Sequence, residues 1–221
     1  MSKELFSCDN LSVYYEKNFD TNKENANWLD AALDNFTVKC GGLPLYNSLA
    51  IANYKIKATP KSAYYMAVAS LKQRKFNEAT QFFMEAESLE TNPAEKAKLE
   101  YTLATGLLSK DKAKAKELLL KATTLDPKMG KAYIFLAQMY ANSSDECGST
   151  DFQKKACYTL AIETLKKAAI ADPHLKPTAE KMTSSFSVKS VSPNDIKQNK
   201  MSGKSTKIGC WINETIIFPS K

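Results

Sequence analysis

The chain has 221 residues, 43% of them hydrophobic and 25% charged, which is enough to bury a core in one elongated domain, and its seven glycines suit a mostly helical protein. The net charge is +7 and almost all of the positive charge is lysine, because Arg74 is the one arginine. Readers of specific DNA or RNA lean on arginine's planar fork, so no specific nucleic acid is expected; a lysine excess reads as a solvated surface or as attraction to acidic partners. No apolar run of about 18 residues exists, which leaves no candidate for a membrane-spanning helix.

The opening residues, MSKELFSCDN, have a lysine but no apolar stretch behind it, so they are not a signal peptide. Two locations stay open: a protein made and kept in the cytoplasm, or a chain that begins after a removed leader or upstream region. Residues 1–59 are predicted to form an N-terminal helical cap and a degenerate repeat. A first helix is expected over residues 10–19, with Leu11, Val13, Tyr14 and Tyr15 available to the core. A second is expected over 24–38, where Trp28, Leu29, Ala32, Leu33 and Phe36 recur at helical spacing. Gly41 and Gly42 are expected to end it in a left-handed cap, the conformation glycine takes cheaply. Pro44 should open a third helix through Leu45, Leu49, Ala52, Tyr54 and Ile56. Trp28 is read as an amphipathic core anchor in preference to a binding platform.

From Pro60 onward one helical-hairpin pattern recurs. The segments KIKATP, LETNP, ATTLDP and AIADP end at Pro60, Pro93, Pro127 and Pro173, spaced 33, 34 and 46 apart; the last interval is one period with an insertion at about 143–157. Small residues recur where paired helices would cross: Ala67, Ala79 and Ala86, then Ala104, Ala115 and Ala122, then Ala137, Ala161 and Ala168. Large apolar ones lie between them: Tyr64, Met66, Phe76 and Phe83, then Leu103 and Leu119, then Leu136, Tyr140, Tyr158 and Leu165. Small residues let backbones approach closely enough for helices to nest.

A period of about 34 residues closed by proline resembles the tetratricopeptide (TPR) repeat. The second hairpin departs from the pattern: it is one residue short in its turn and has Lys112 where an aromatic is usual. The resemblance implies an all-α, TPR-like right-handed superhelical solenoid of helical hairpins, with three repeats over 60–173; a non-repeating helical bundle is the alternative. It also implies a concave groove lined by Tyr64, Val68, Leu71 and Lys72 from the first repeat, Lys98, Tyr101, Thr105 and Leu108 from the second, and Lys131, Ile134, Gln138 and Asn142 from the third. Such a mixture of aromatic, aliphatic and lysine side chains suits a protein or peptide partner with some acidic character. The TPR subgroup that clamps acidic chaperone tails needs Lys and Asn where Tyr64 and Val68 stand, so that specificity is not expected.

The densest basic run, KDKAKAKE at 110–117, opens a helix with Asp111 as its expected cap, and is read as a solvated face. Residues 174–186 should form a capping helix with Leu175, Ala179, Met182 and Phe186 inward, and 187–206 a linker with a turn of helix after Pro193. The β tail, 207–221, changes character: KIGCWINETIIF is β-branched and aromatic, and reads as a short hairpin or an extended strand. A lone hairpin is marginal in water, so Ile208, Trp211, Ile212, Ile216 and Phe218 should cover the last helices, or else form an oligomer contact or a partner interface. The insertion SSDECGSTDFQKKACY with the later GCWINET resembles a bacterial subfamily of exported TPR proteins, which implies the periplasm or cell envelope.

Five cysteines, Cys8, Cys40, Cys147, Cys157 and Cys210, are many for a cytosolic repeat protein. An antiparallel first helix pair would bring Cys8 to Cys40. Cys210 would tie the β tail to the insertion through Cys147, with Cys147–Cys157 as the competing pair and free thiols in a cytoplasmic protein as the third possibility. There is no CxxC pair and His174 is the one histidine, so neither a metal site nor a catalytic triad is expected. The GKS at 203–205 lacks the glycine a P-loop needs, since Gln198 and Asn199 stand where it would be, and the triplets at Asn10, Asn35, Asn142 and Asn213 are what chance supplies. The acidic pair Asp145-Glu146 is expected to lie in the polar insertion without a partner base or metal ligand. No cofactor and no catalytic residues are expected: the function read from the sequence is a noncatalytic protein-protein interaction scaffold. The alternative is a basic helical repeat that binds nucleic acid or another polyanion in the cytoplasm.

Overall fold

Proline and polar caps decide where the helices start. Pro44, Pro60, Pro93 and Pro193 each occupy the first residue of a helix, where proline's missing N–H is no loss. The computed structural model describes residues 7–37 and 40–220, and among these it contains twelve α-helices and one two-stranded antiparallel sheet. The protein is thus all-α apart from one short hairpin. None of the described helices is long and apolar enough to cross a membrane. The chain divides into two compact units, Met1–Leu99 and Glu100–Lys221.

In the first unit α1 (Cys8–Asn22), α2 (Ala26–Thr37), α3 (Pro44–Ile56), α4 (Pro60–Lys72) and α5 (Phe76–Leu89) follow one another, and α6 (Pro93–Leu107) begins. The expected 24–38 helix therefore starts two residues later, and its last expected residue, Val38, lies outside the described residues. Ser7 caps α1, its hydroxyl accepting the Asn10 N–H at 3.3 Å. Thr59 caps α4 in a reciprocal box with Ser62. Leu29, Leu33, Phe36, Tyr46, Leu49 and Tyr65 form the fully buried centre, with Tyr15 edge-on to both Trp28 (5.2 Å) and Phe36 (5.5 Å). The buried phenols keep partners: Tyr65 donates to Asp34 at 2.6 Å, and Tyr46 shares a hydrogen bond with Thr37 at 3.0 Å.

Two expectations here are corrected. Val13 and Tyr14 are 68% and 56% exposed, because a helix lays only Leu11, Tyr15 and Phe19, four apart, on one face. The glycine cap after α2 is absent: neither Gly41 nor Gly42 has a positive φ, and among the described glycines only Gly203 does. Cys40 N–H still bonds Phe36 O at 2.7 Å and Leu43 N–H bonds Cys40 O at 3.0 Å, just before Pro44 opens α3. Glycine serves Gly41 by its size, since an added Cβ would stand 3.3 Å from Thr37 O and 3.6 Å from Val68. The left-handed position falls instead on Arg74 (φ 61°) after α4, where Arg74 N–H bonds Leu71 O and Lys75 N–H bonds Ser70 O. That is the Schellman pattern with arginine in glycine's place.

In the second unit α6 is followed by α7 (Lys112–Leu125), α8 (Gly130–Asn142), the short α9 (Ser144–Cys147), α10 (Asp151–Ala171), a 3-10 turn (Pro173–Leu175), α11 (Lys176–Ser187) and α12 (Pro193–Gln198). Asp111 caps α7 as expected, accepting Lys114 N–H at 2.9 Å. The long α10 is the central element, packed on α8, on α11 and on the hairpin. Ala132, Ala137, Ala156, Ala161 and Ala168 are fully buried where α8 and α10 meet their neighbours. The helix expected over 174–186 is α11, and the turn expected after Pro193 is α12.

The tail is a hairpin, β1 (Ser205–Ile208) paired antiparallel with β2 (Glu214–Ile217) in the register Ser205↔Ile217 and Ile208↔Glu214. Ile208, Ile212, Ile216 and Phe218 are buried. Trp211 stacks on Tyr140 of α8 (5.8 Å, 21°) and Phe218 meets Phe152 of α10 edge-on at 5.2 Å. The hairpin therefore covers helices of its own unit, which is how so short a sheet survives in water.

Candidate functional site

The twelve residues expected to line a groove are best taken unit by unit. In the first unit Tyr64 is half-buried against Tyr65 (6.0 Å) and Phe83 (6.1 Å), Leu71 is half-buried and Lys72 is exposed. Val68 is only 5% exposed and belongs to the core cluster, so its side chain has no face for a partner; its neighbour Gly41 packs directly on it. Lys98, on the first-unit part of α6, is exposed and bridges Glu95 at 2.6 Å.

In the second unit Tyr101, Thr105 and Leu108 follow a four-, then three-residue spacing along and just past the end of α6, and all three are half-buried. On α8, Lys131, Ile134, Gln138 and Asn142 follow the same rule, with Ile134 half-buried and the others exposed. The two rows meet at Tyr101. The Lys131 ammonium stands 4.6 Å from the centroid of its ring, and Phe135 meets the ring edge-on at 6.1 Å. Burial raises the Tyr101 phenol above its ordinary pKa, so it stays a neutral donor at any physiological pH. A half-exposed ring, a cation over its face and aliphatic neighbours give a surface that can hold an apolar side chain and an acidic one side by side. Phe135 was missed in the sequence; its signal was the four-residue spacing from Lys131.

The cysteines pair as Cys8–Cys40, Cα atoms 5.6 Å apart, and Cys147–Cys210, Cα atoms 5.3 Å apart. Cys157 is a buried free thiol, and burial pushes its pKa up to about 11. Asp145 and Glu146 are held in ion pairs: Lys154 reaches Asp145 at 3.0 Å and Lys112 pairs with Glu146. The Glu146 carboxylate and the sulfurs of Cys147 and Cys210 lie within 4.8 Å of one another. With the sulfurs joined to each other they are not thiolate ligands, and the carboxylate is held by Lys112.

Two clefts open in the first unit. One, of about 520 Å³, is lined by Phe19, Ile51, Ala52 and Ile56 with Lys23 and Lys55 at its edge; the other, of about 400 Å³, lies at Gly41, Gly42, Asn47 and Lys72. Glu24 and Ser48 also line the first cleft, and Ser48 lines the second as well. No family model matches this chain, and no curated protein matches it either.

Proposed function

We propose that this chain is a TPR-type helical-repeat scaffold, noncatalytic, that binds a protein segment of mixed apolar and acidic character on the α6–α8 face of its second unit. The observation that carries the proposal is the Tyr101 platform, with Lys131 over the ring and Phe135 at its edge. Thr105, Leu108, Ile134, Gln138 and Asn142 extend that face along both helices, and Tyr64, Leu71 and Lys72 offer a smaller one in the first unit. Hot spots at protein interfaces favour such half-buried aromatics flanked by polar side chains. Two disulfides support an oxidising compartment, and with the tail's likeness to exported TPR proteins this favours the bacterial envelope.

The test needs no known partner. A random peptide library selected on the immobilised, oxidised protein should enrich sequences that pair an aliphatic or aromatic residue with Asp or Glu. Tyr101→Ala should abolish the enrichment and Lys131→Ala should remove its acidic component, with circular dichroism unchanged. Failure to enrich, or enrichment indifferent to Tyr101→Ala, ends this reading. A second reading, binding of nucleic acid or another polyanion, is favoured by the charge of the second unit, where nineteen basic residues face twelve acidic ones. Its mark would be an affinity that falls steeply with salt.

A further inference from the structure

The net charge of +7 is confined to one unit: residues 1–99 carry twelve Lys and Arg against twelve Asp and Glu, residues 100–221 nineteen against twelve. Many lysines of the second unit are engaged, among them Lys112 with Glu146, Lys116 with Glu214, Lys154 with Asp145 and Lys155 with Asp195. Among the described residues Lys110, Lys128, Lys166, Lys167 and Lys181 have no such carboxylate, and neither do Lys197, Lys200, Lys204 and Lys207, which are grouped within eleven residues of sequence. These last four are all exposed. Asp195, the one acid between Glu180 and Glu214, is already held by Lys155 at 2.6 Å.

Backbone hydrogen bonds fix the path of this lysine-bearing stretch. Lys200 closes α12 in the left-handed conformation (φ 56°), its N–H bonded to Lys197 O at 3.1 Å and Met201 N–H bonded to Ile196 O at 2.9 Å. Lys204 N–H bonds Met201 O at 3.0 Å, and Lys204 O accepts Phe218 N–H at 2.9 Å, which joins the stretch to the end of β2. The strand register then puts Ser205, Lys207, Thr215 and Ile217 on the side of the hairpin opposite the buried Ile208 and Ile216. Ile217 is 75% exposed on that side, while the rings of Trp211 and Phe218 are taken by Tyr140 and Phe152.

We infer that the exposed lysines of the 197–207 segment, Lys197, Lys200, Lys204 and Lys207, together with Ile217, which shares the outward hairpin face with Lys207, dock the protein peripherally on a bilayer that displays anionic phospholipid headgroups. Clustered ammonium groups on flexible stems match dispersed phosphate charges, and one protruding aliphatic side chain can enter the headgroup layer. Nucleic acid fits less well: this face has no arginine fork to read bases and no free ring on which a base could stack. The docking is independent of the Tyr101 platform and does not rest on it.

Sedimentation of the oxidised 221-residue chain with vesicles tests this. Binding is expected to phosphatidylcholine mixed with phosphatidylglycerol in equal parts, not to phosphatidylcholine alone, and it should weaken as salt rises. Each lysine near such a surface contributes roughly fivefold, so the combined K197Q, K200Q, K204Q and K207Q variant should bind at least about 100-fold more weakly. Ile217→Ser should cost a further few-fold. These side chains are exposed, so circular dichroism should not change, and Tyr101→Ala should leave vesicle binding intact. Equal binding to both vesicles, or undiminished binding by the four-lysine variant, overturns the inference. So does binding to a single-stranded oligonucleotide but not to vesicles, if the same four substitutions abolish it; that result assigns the face to nucleic acid.

Discussion

Lys116 of α7 and Glu214 of β2 are 98 residues apart in the chain and form an ion pair that fastens the hairpin to the helices. The Lys116 side chain is 13% exposed, and the same ammonium donates to Ile212 O at 2.6 Å. One cation thus satisfies a carboxylate and a carbonyl of the hairpin. Lys116→Ala removes both bonds and leaves the Ile212 carbonyl short of a donor, so a loss of about 2 kcal/mol is expected in urea unfolding. Lys114 pairs with Glu117 in the open on the same helix, and Lys114→Ala should change stability by less than about 0.5 kcal/mol. Similar losses in the two variants would show that the hairpin does not depend on this pair.

The two disulfides lie in different units and close loops with sequence separations of 32 and 63. In the chain-entropy model each contributes about 3–4 kcal/mol by restricting the unfolded chain. The Cys8→Ser, Cys40→Ser double variant should therefore speed hydrogen exchange in α1–α3, and the Cys147→Ser, Cys210→Ser variant should speed it in the hairpin and α9. A thiol titration provides the second check. Unfolded under nonreducing conditions the protein should show one reactive thiol, Cys157, and folded it should show none on the same timescale, because that thiol is buried with its pKa up at about 11. Three or five thiols in the unfolded sample would mean that one or both of these bonds are absent.

How much of this was legible in the sequence depends on the range of the interaction. Leu29, Leu33 and Phe36 announce their helix by spacing, and Pro44, Pro60 and Pro93 mark helix starts because proline suits few other positions. The Cys8–Cys40 bond was within reach because it joins neighbouring helices. Val13 and Tyr14 were misjudged because adjacent apolar residues look alike until the helix phase is known, and Gly41-Gly42 because a glycine pair can mean small size as well as a left-handed turn. The Tyr101–Lys131–Phe135 cluster, the Tyr140–Trp211 stack and the Lys116–Glu214 pair each depend on how separate helices and the hairpin pack, and no local pattern encodes that.

Gly130 and Arg74 make opposite predictions about backbone. A Cβ at Gly130, the first residue of α8, would stand 2.7 Å from Asp172 Cβ and 2.8 Å from Ala168 O at the end of α10. Part of that crowd is backbone and cannot swing aside, so Gly130→Ala should cost about 1–3 kcal/mol. Arg74 holds φ 61° in a position that glycine occupies without strain, and Arg74→Gly should raise stability by about 0.5–1 kcal/mol. Thermal unfolding of both variants decides it; a destabilising Arg74→Gly would mean that the arginine side chain makes a contact worth more than the strain.

Asp195 predicts where the C-terminal segment responds to acid. Its carboxylate takes the Lys155 ammonium at 2.6 Å and the Ser192 hydroxyl and N–H at 2.6 and 2.9 Å, which joins α12 to α10 and caps α12 at once. The Lys155 bond first, then those from Ser192, lower its pKa to about 2 from an ordinary 3.8. A carboxyl with a depressed folded-state pKa stabilises the fold fully above its unfolded value and loses that contribution as pH falls through the folded one. The α12 docking should therefore be intact above about pH 4 and should loosen between about pH 4 and pH 2. Amide exchange of Ile196 and Asn199, and the carboxyl carbon shift of Asp195, would follow that loosening. Asp195→Asn keeps the shape but gives up the charge, so it should loosen α12 at every pH and flatten the acid response. An acid response unchanged in Asp195→Asn would assign it to other carboxylates.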